Sequence, residues 1–316
     1  MIVALAGGVG GARLAVGLAA LVPPEDLTIV VNTGDDFEHL GFSISPDLDT
    51  VMYTLAGEEN PQTGWGRRDE TWSFMAAVGE LGGETWFRLG DRDIAVHALR
   101  TQALARGEPL SQITSRLAHA LGVRHALVPM SETPVRTRVA TTAGELAFQD
   151  YFVRQQCAPQ VTGFRYAGSD GARVPPALRA VFERGAVDAV VLCPSNAYIS
   201  IGPILAIAEI RRWLETRRFP LVAVSPIVGN DAVKGPAAKM MRELGLDVSA
   251  LAVARHYGRL VDAWVIDERN AHERSAIEAL GCRVAVADTL MTDRGRSAAI
   301  AAIALDLARR CQRKAA

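Results

Sequence analysis

The residues of this chain best suited to chemistry are Asn32-Thr33-Gly34-Asp35-Asp36-Phe37-Glu38 and, a few positions on, Ser45-Pro46-Asp47-Leu48-Asp49-Thr50. Asp35, Asp36, Glu38, Asp47 and Asp49 collect straight after the apolar run Leu27-Thr28-Ile29-Val30-Val31, which has the length and β-branched content of a buried strand. The C-terminal edge of a parallel sheet is where open α/β proteins bind ligands. Short carboxylates around glycine turns suit a hard cation such as Mg²⁺, which takes carboxylate oxygens and keeps positions for phosphates. Taken singly, each acid is equally a solvated loop carboxylate or an N-cap.

Two more stretches carry chemistry. Gly7-Gly8-Val9-Gly10-Gly11-Ala12-Arg13 follows a first strand, Ile2 to Ala6, and opens a helix running to about Leu21. Glycines let a backbone approach a phosphate, and a helix N-terminus supplies free N–H groups. Arg13 stands where the dinucleotide fingerprint wants a third glycine, and Asn32 where an NAD site wants an acid. Phosphate binding is therefore favoured over a merely tight turn, and NAD is disfavoured. Trp86-Phe87-Arg88-Leu89-Gly90-Asp91-Arg92-Asp93 packs aromatics, arginines and aspartates more densely than a surface turn needs. Its plain alternative is an N-cap at Asp91 or Asp93 with a local ion pair.

The elements that must hold these residues follow from periodicity. Helices are predicted over Asp47 to Ala56, Asp69 to Leu81, Ile94 to Arg106 and Leu110 to Leu121. Between them Trp65, in a glycine-rich loop, is either core or a flat face for a ring ligand. His97 and His119, inside helices, read as packed or surface residues. From His125 the pattern turns to strands, His125 to Met130, Val135 to Thr141, Glu145 to Gln149 and Val161 to Tyr166. Parallel-sheet signals resume with strands at Val187 to Leu192, Leu221 to Val224, Val261 to Ile266 and Arg283 to Ala287, and an amphipathic helix from Arg294 to Arg310 closes the chain. Between the first two, Ser200-Ile201-Gly202-Pro203 leads into a helix to about Arg217. The expected fold is α/β: a Rossmann-like, mostly parallel sheet with helices on both faces and an inserted α+β subdomain. Residues 1–84 and 176–316 form the nucleotide-binding core and 85–175 the insertion.

Composition narrows the function. The chain has 316 residues, 49% hydrophobic, which suffices for a large core, and a formal net charge of −1, which gives no global field for nucleic acid or anionic membrane. Its four cysteines, Cys157, Cys193, Cys282 and Cys311, form no CxxC pair. Cys193 reads as a small buried residue. No apolar run approaches the length of a membrane span, and Met1 to Ala6 lacks a basic signal-peptide region. The expected partners are small molecules, with neither nucleic acid nor membrane, and the expected compartment is the cytoplasm.

In their order along nearly the whole chain, these blocks resemble the 2-phospholactate transferase family of deazaflavin coenzyme F-420 biosynthesis. The resemblance rests on Ala6 to Leu14, Val31 to Asp36, Ile44 to Thr50, Trp86 to Asp93, Pro194-Ser195-Asn196 with Ser200 to Pro203, and Ser225 to Gly229 with Val233 to Pro236. It implies transfer of a phosphate-bearing small acid (phospholactyl, phosphoenolpyruvyl or phosphoglyceryl) from a guanosine diphosphate ester. The acceptor is the ribityl hydroxyl of 7,8-didemethyl-8-hydroxy-5-deazariboflavin; GMP is released and Mg²⁺ is present. It places the deazaflavin at Asp49 and Arg88, and the guanine nucleotide along Pro194 to Asn196 and Ser225 to Gly229.

Phosphoryl transfer needs positioning and charge neutralisation more than covalent chemistry. Asp49, Asp35 and Asp36 are thus the candidate catalytic residues, with Asp49 and Asp35 as metal ligands and one carboxylate as proton acceptor. Gly8, Gly10, Gly11, Arg13, Ser195, Asn196, Ser225, Gly229 and Lys234 are the candidate nucleotide and diphosphate ligands. Loss of Asp49 is expected to lower turnover by orders of magnitude with the fold intact. A non-catalytic nucleotide-sugar or dinucleotide-binding regulator of the same superfamily is the rival reading. The oligomeric state stays open, with a homodimer through the inserted region or the final helix as one form.

Overall fold

The computed structural model describes residues 1–315. Strand β1 (Ile2–Ala6) leads into helix α1 (Gly8–Ala19) and strand β2 (Leu27–Val31), all five residues of which are buried. After a small hairpin at 37–44 come α2 (Pro46–Ala56), α3 (Ser73–Glu80), α4 (Asp91–Ala105), α5 (Leu110–Ala120) and β3 (Ala126–Pro129). Strands β4 (Arg136–Thr141), β5 (Gly144–Ala147) and β6 (Val161–Ala167) precede α6 (Pro176–Arg184) and β7 (Ala189–Leu192). The chain then runs through α7 (Ala208–Glu215), β8 (Leu221–Val224), α8 (Ala237–Glu243), α9 (Ala250–Tyr257), β9 (Ala263–Asp267), β10 (Arg283–Ala287) and α10 (Arg294–Ala315). No helix among the described residues is long and apolar enough to cross a membrane.

Seven strands form one parallel sheet in the order β10-β9-β8-β7-β1-β2-β3. The order reverses between β1 and β7, and the crevice beyond their C-terminal ends is the ligand position of such sheets. Alternate side chains divide between the two faces. Ala4, Ala6, Ile29 and Val31 pack with α1, α2, α4, α5 and α10. Val3, Leu5 and Val30 pack on the other face with α6 to α9 and the second sheet. The mostly parallel, doubly covered sheet expected from periodicity is the one observed.

The second sheet is antiparallel, in the order β5-β4-β6. Residues 126–129 fall inside the range read as an insertion, yet they form β3, the edge strand beside β2. Helices α4 and α5 are then the crossover between neighbouring core strands, with Val96, Ala103, Ile113 and Leu117 in the core. The sequence hides this because β3 is short and ends in Pro129, which an edge strand tolerates. Two helix boundaries also differ. The segment from Asp69 starts as helix only at Ser73, since Asp69 has φ of 54°. The helix expected to run to about Arg217 is broken at Ile207, whose ψ is 113°.

Helices α1 and α10 touch at Gly17, where an added Cβ would lie 2.1 Å from the Ser297 carbonyl oxygen. Gly17→Ala should therefore cost about 1–3 kcal/mol of unfolding free energy, measured by urea titration. Gly163→Ala, where a Cβ meets nothing within 4 Å, should shift the midpoint far less.

Candidate active site

The glycine loop at the end of β1 is shaped by what presses on it. Asp47, in the first turn of α2, accepts from the backbone N–H of Gly8 and so occupies the N-terminus of α1. A Cβ at Gly7 would meet Asp47 Oδ2 at 2.5 Å, one at Gly10 the Pro194 carbonyl oxygen at 2.3 Å, and one at Gly11 Ser195 Oγ at 2.5 Å. Gly8 has φ of 61°, a left-handed conformation suited to glycine. Ser195 Oγ donates to the Gly7 carbonyl (2.7 Å) and accepts from its N–H (3.1 Å). Gly10 and Gly11 thus let the two loops at the switch point interlock. The positive end of α1, expected to face a phosphate, faces Asp47 instead.

Asp47 belongs to a buried carboxylate group at the end of β2. The side chain of Asn32 donates to Asp47 Oδ2 (2.9 Å), Asp35 Oδ1 (3.2 Å) and the Ile199 carbonyl (3.2 Å). Burial, then the charges of Asp47 and Asp36, hold the Asp35 carboxyl well above the usual carboxylate range. Burial likewise pushes Asp47 up to about 6 and Asp36 up to about 7, the latter against the opposing pull of Arg136. Asp36 Oδ2 accepts from Ser45 (2.9 Å), while its buried Oδ1 has no partner. The antiparallel sheet docks here: Thr137 N–H donates to the Gly34 carbonyl (2.6 Å), and the Gln149 side chain to that of Asp35 (3.3 Å). Neither Asn32 as the tie nor Arg136 as the counter-charge is visible as a site residue in the sequence. Asp47 stands in the acidic stretch without a motif to single it out.

The second cluster converges on the first through its aromatics. Phe37 meets Phe87 edge-on at 4.7 Å between ring centres, and Trp86 lies 6.0 Å from Phe37. Arg88 is exposed, its guanidinium 4.1 Å over the Trp72 ring. Asp91 caps α3 by accepting from Ser73 (3.1 Å) and Phe74 (3.0 Å), and Glu70 returns the cap to α4 through Arg92 (2.8 Å) and Asp93 (2.9 Å). The N-cap reading therefore holds for Asp91, on the preceding helix rather than its own. Trp65 is half-exposed.

Asp49 has a partner the sequence did not disclose. Both its oxygens accept from Arg100 of α4, Oδ2 at 3.0 Å, and the two side chains are only 5% and 2% exposed. His97 Nδ1 lies 3.6 Å from Asp49, and burial lowers its pKa to about 4. This engagement leaves Asp49 poorly placed for the metal-ligand role expected of it.

The remaining candidates separate into internal clasps and free cations. The Asn196 side chain caps the next turn, accepting from Tyr198 (2.8 Å) and Ile199 (3.3 Å). Ser225 Oγ accepts from Ile227 (3.1 Å), and Gly229 is held through its N–H (2.8 Å) and carbonyl (2.9 Å) by Asn270. Arg13 donates to the Met291 carbonyl and Lys234 to that of Thr63 (2.6 Å). Burial, then the charge of Arg13, lowers the Lys234 pKa. Two like charges near the start of α1, neither in an ion pair with a carboxylate among the described residues, suit an anion. Cys193 is buried, and burial raises its thiol pKa; it is the small buried residue expected.

No group of three or more His, Cys, Asp or Glu side chains is arranged to enclose a metal among the described residues. Asp35 and Asp47, sharing one amide donor, nevertheless fit a cation that takes few protein oxygens and leaves the rest to phosphates. A doubly covered parallel sheet with acids and unpaired cations at its switch point belongs to the nucleotide-dependent α/β enzymes. Residues 2–304 match the profile of the family described as 2-phospho-L-lactate transferase CofD. A phosphoenolpyruvate transferase of Streptomyces griseus is 43% identical over 314 residues, covering 97% of this chain and 98% of that protein. A 2-phospho-L-lactate transferase of Methanosarcina acetivorans is 40% identical over 303 residues, covering 96% and 97%. The crystal structure of a UPF0052 family member from Bacillus halodurans shares the fold, with a TM-score of 0.65, 15% identity and coverage of 96% and 98%. The chain belongs to the 2-phospho-L-lactate transferase family.

The ion pair revises the expected outcome of removing Asp49. Asp49→Ala strands a buried guanidinium, so it should cost about 3–5 kcal/mol of stability besides any loss of turnover. Asp49→Leu combined with Arg100→Met should recover most of that loss in a urea titration.

Proposed function

We propose that this transferase of coenzyme F-420 biosynthesis works through the buried acids at the end of β2. It moves a phospholactyl or phosphoenolpyruvyl moiety from a guanosine diphosphate ester to the deazaflavin acceptor. The reaction class is that of the family and of relatives similar over nearly their whole length. The observation that carries the site assignment is the group Asp35, Asp36 and Asp47, held close by Asn32 and Ser45 with too little positive charge nearby.

Asp35 and Asp47 would hold Mg²⁺. When bound there, the ion supplies charge neutralisation for the oxygens of the transferred phosphoryl group. Arg13 and Lys234 steady the donor diphosphate, and Trp65, next to Gly64 at the Lys234 ammonium, offers a flat face to the guanine. The loops around Ser195, Asn196, Ser225 and Gly229 set the walls of the nucleotide site through their backbone, since their side chains are committed internally. On the acceptor side, Phe37, next to Asp36 in sequence, meets the Trp86 and Phe87 rings. Arg88 and the Asp49–Arg100 pair orient the deazaflavin there.

The ribityl hydroxyl oxygen bonds to the distal phosphorus of the donor as the bond to the GMP oxygen breaks. Asp36, with a pKa near 7 and an unpartnered oxygen, takes the hydroxyl proton. A base must be ionised to act, so turnover should rise with pH through about 7. Asp36→Asn should remove that limb and lower kcat by about 10²–10⁴-fold. The raised pKa also costs the resting fold stability as pH climbs through it.

The direct test mixes protein, Mg²⁺, deazaflavin and each guanosine diphosphate ester, and follows GMP by chromatography. GMP release that needs all components and disappears on chelation of Mg²⁺ is the expected result. Release indifferent to chelation would remove the metal from the account, and no release with any donor would overturn the activity.

A further inference from the structure

The antiparallel sheet brings a second pair of cations to the acids. A cavity of about 210 Å³ lies between the Asp35–Asp36 loop and β4, with Arg136, Arg138 and Gln149 in its walls. It is small for a nucleotide or a tricyclic ring. Arg136 and Arg138 are two residues apart and share one face of β4, while Thr137 and Val139 turn the other way into buried surroundings. Arg136 reaches the Thr33 carbonyl (3.3 Å) and offsets the charge of Asp36. Arg138 forms no ion pair within 4.0 Å among the described residues; the acid nearest it on β5, Glu145, is bound by Arg165 (2.6 and 3.0 Å). The buried, unpartnered Oδ1 of Asp36 sits in the same walls. Glu38, also a lining residue, is exposed.

One wall therefore carries buried acids, and the other a guanidinium whose nearby carboxylate, Glu145, is already paired with Arg165. With the cation proposed above standing between them, a ligand that fits both has a phosphoryl group on the side of the acids and a second anionic group a few bonds away. We infer that this cavity receives the acid end of the transferred group, and that Arg138 binds its carboxylate. A guanidinium is suited to that task because its fork matches the two carboxylate oxygens. Arg138 is then the residue that distinguishes a phospho-acid ester of guanosine diphosphate from a simple alkyl ester. The inference rests on the functional reading above, for the identity of the donor.

The test measures equilibrium binding by calorimetry, so it does not depend on turnover. The probes are the phospholactyl donor, which is guanosine diphosphate esterified at its distal phosphate by the 2-hydroxyl of lactate, and the corresponding P2-ethyl ester of guanosine diphosphate, which keeps both phosphates and lacks the carboxylate. The unmodified protein should prefer the phospholactyl ester, on the order of ten- to a hundredfold, as a charged hydrogen-bonded pair implies. Arg138→Met should erase the preference by weakening the phospholactyl ester alone, and Arg138→Lys should keep part of it. Arg138→Lys also serves where Arg138→Met melts early. No preference in the unmodified protein, or a preference that survives Arg138→Met, would overturn the inference. Absence of GMP release with either ester would instead count against the activity, leaving the binding comparison to decide on Arg138.

Discussion

The side-chain amide of Asn32 is the contact on which the site depends. It sits fully buried at the end of β2 and donates toward Asp35, Asp47 and the carbonyl of Ile199. One residue thereby joins a core strand, the first turn of α2 and the turn after β7. Each acid it gathers would be more stable in water, and burial of a carboxylate without a full partner is costly. The raised pKa values of Asp35, Asp36 and Asp47 are the same fact in another form. Packing holds the acids together in spite of that cost, and a cation bound between them, as proposed above, would relieve it.

The packing that enforces it is backbone against backbone. Gly10 and Gly11 let the loop after β1 interlock with Pro194 and Ser195, and Gly34 brings the acidic loop against Thr137. The antiparallel sheet is thus a wall of the site as well as an appendage of the fold. It contributes Arg136 as partial counter-charge, and Arg138 as a lining residue of the cavity. Opposite it, the aromatic rings of Phe37, Trp86 and Phe87 tie the acidic loop to the segment carrying Arg88.

Much of this was legible in the sequence because local chemistry and position agree. Apolar runs ending in Gly7, Asn32 and Pro194 announce parallel strands whose ends carry the chemistry, and the acidic stretch between Asp35 and Asp49 stands out by composition. The parts not legible are contacts between distant segments. Nothing in the helix 91–105 marks Arg100 as the partner of Asp49, because a lone arginine in an amphipathic pattern reads as surface. Nothing in a strand of alternating polarity marks Arg136 as the counter-charge of acids a hundred positions away in sequence. The place of edge strand β3 beside β2 is not legible either, because a four-residue run ending in proline carries no sign of its neighbour.

The most direct measurement of the central claim is electron paramagnetic resonance of Mn²⁺, a paramagnetic stand-in for Mg²⁺, titrated into protein with a guanosine diphosphate ester above the pH at which Asp36 ionises. The account predicts a single bound ion per chain, weakened strongly by Asp35→Asn or Asp47→Asn and little by Gly163→Ala. Mn²⁺ bound equally well when both Asp35 and Asp47 are changed to Asn would contradict it.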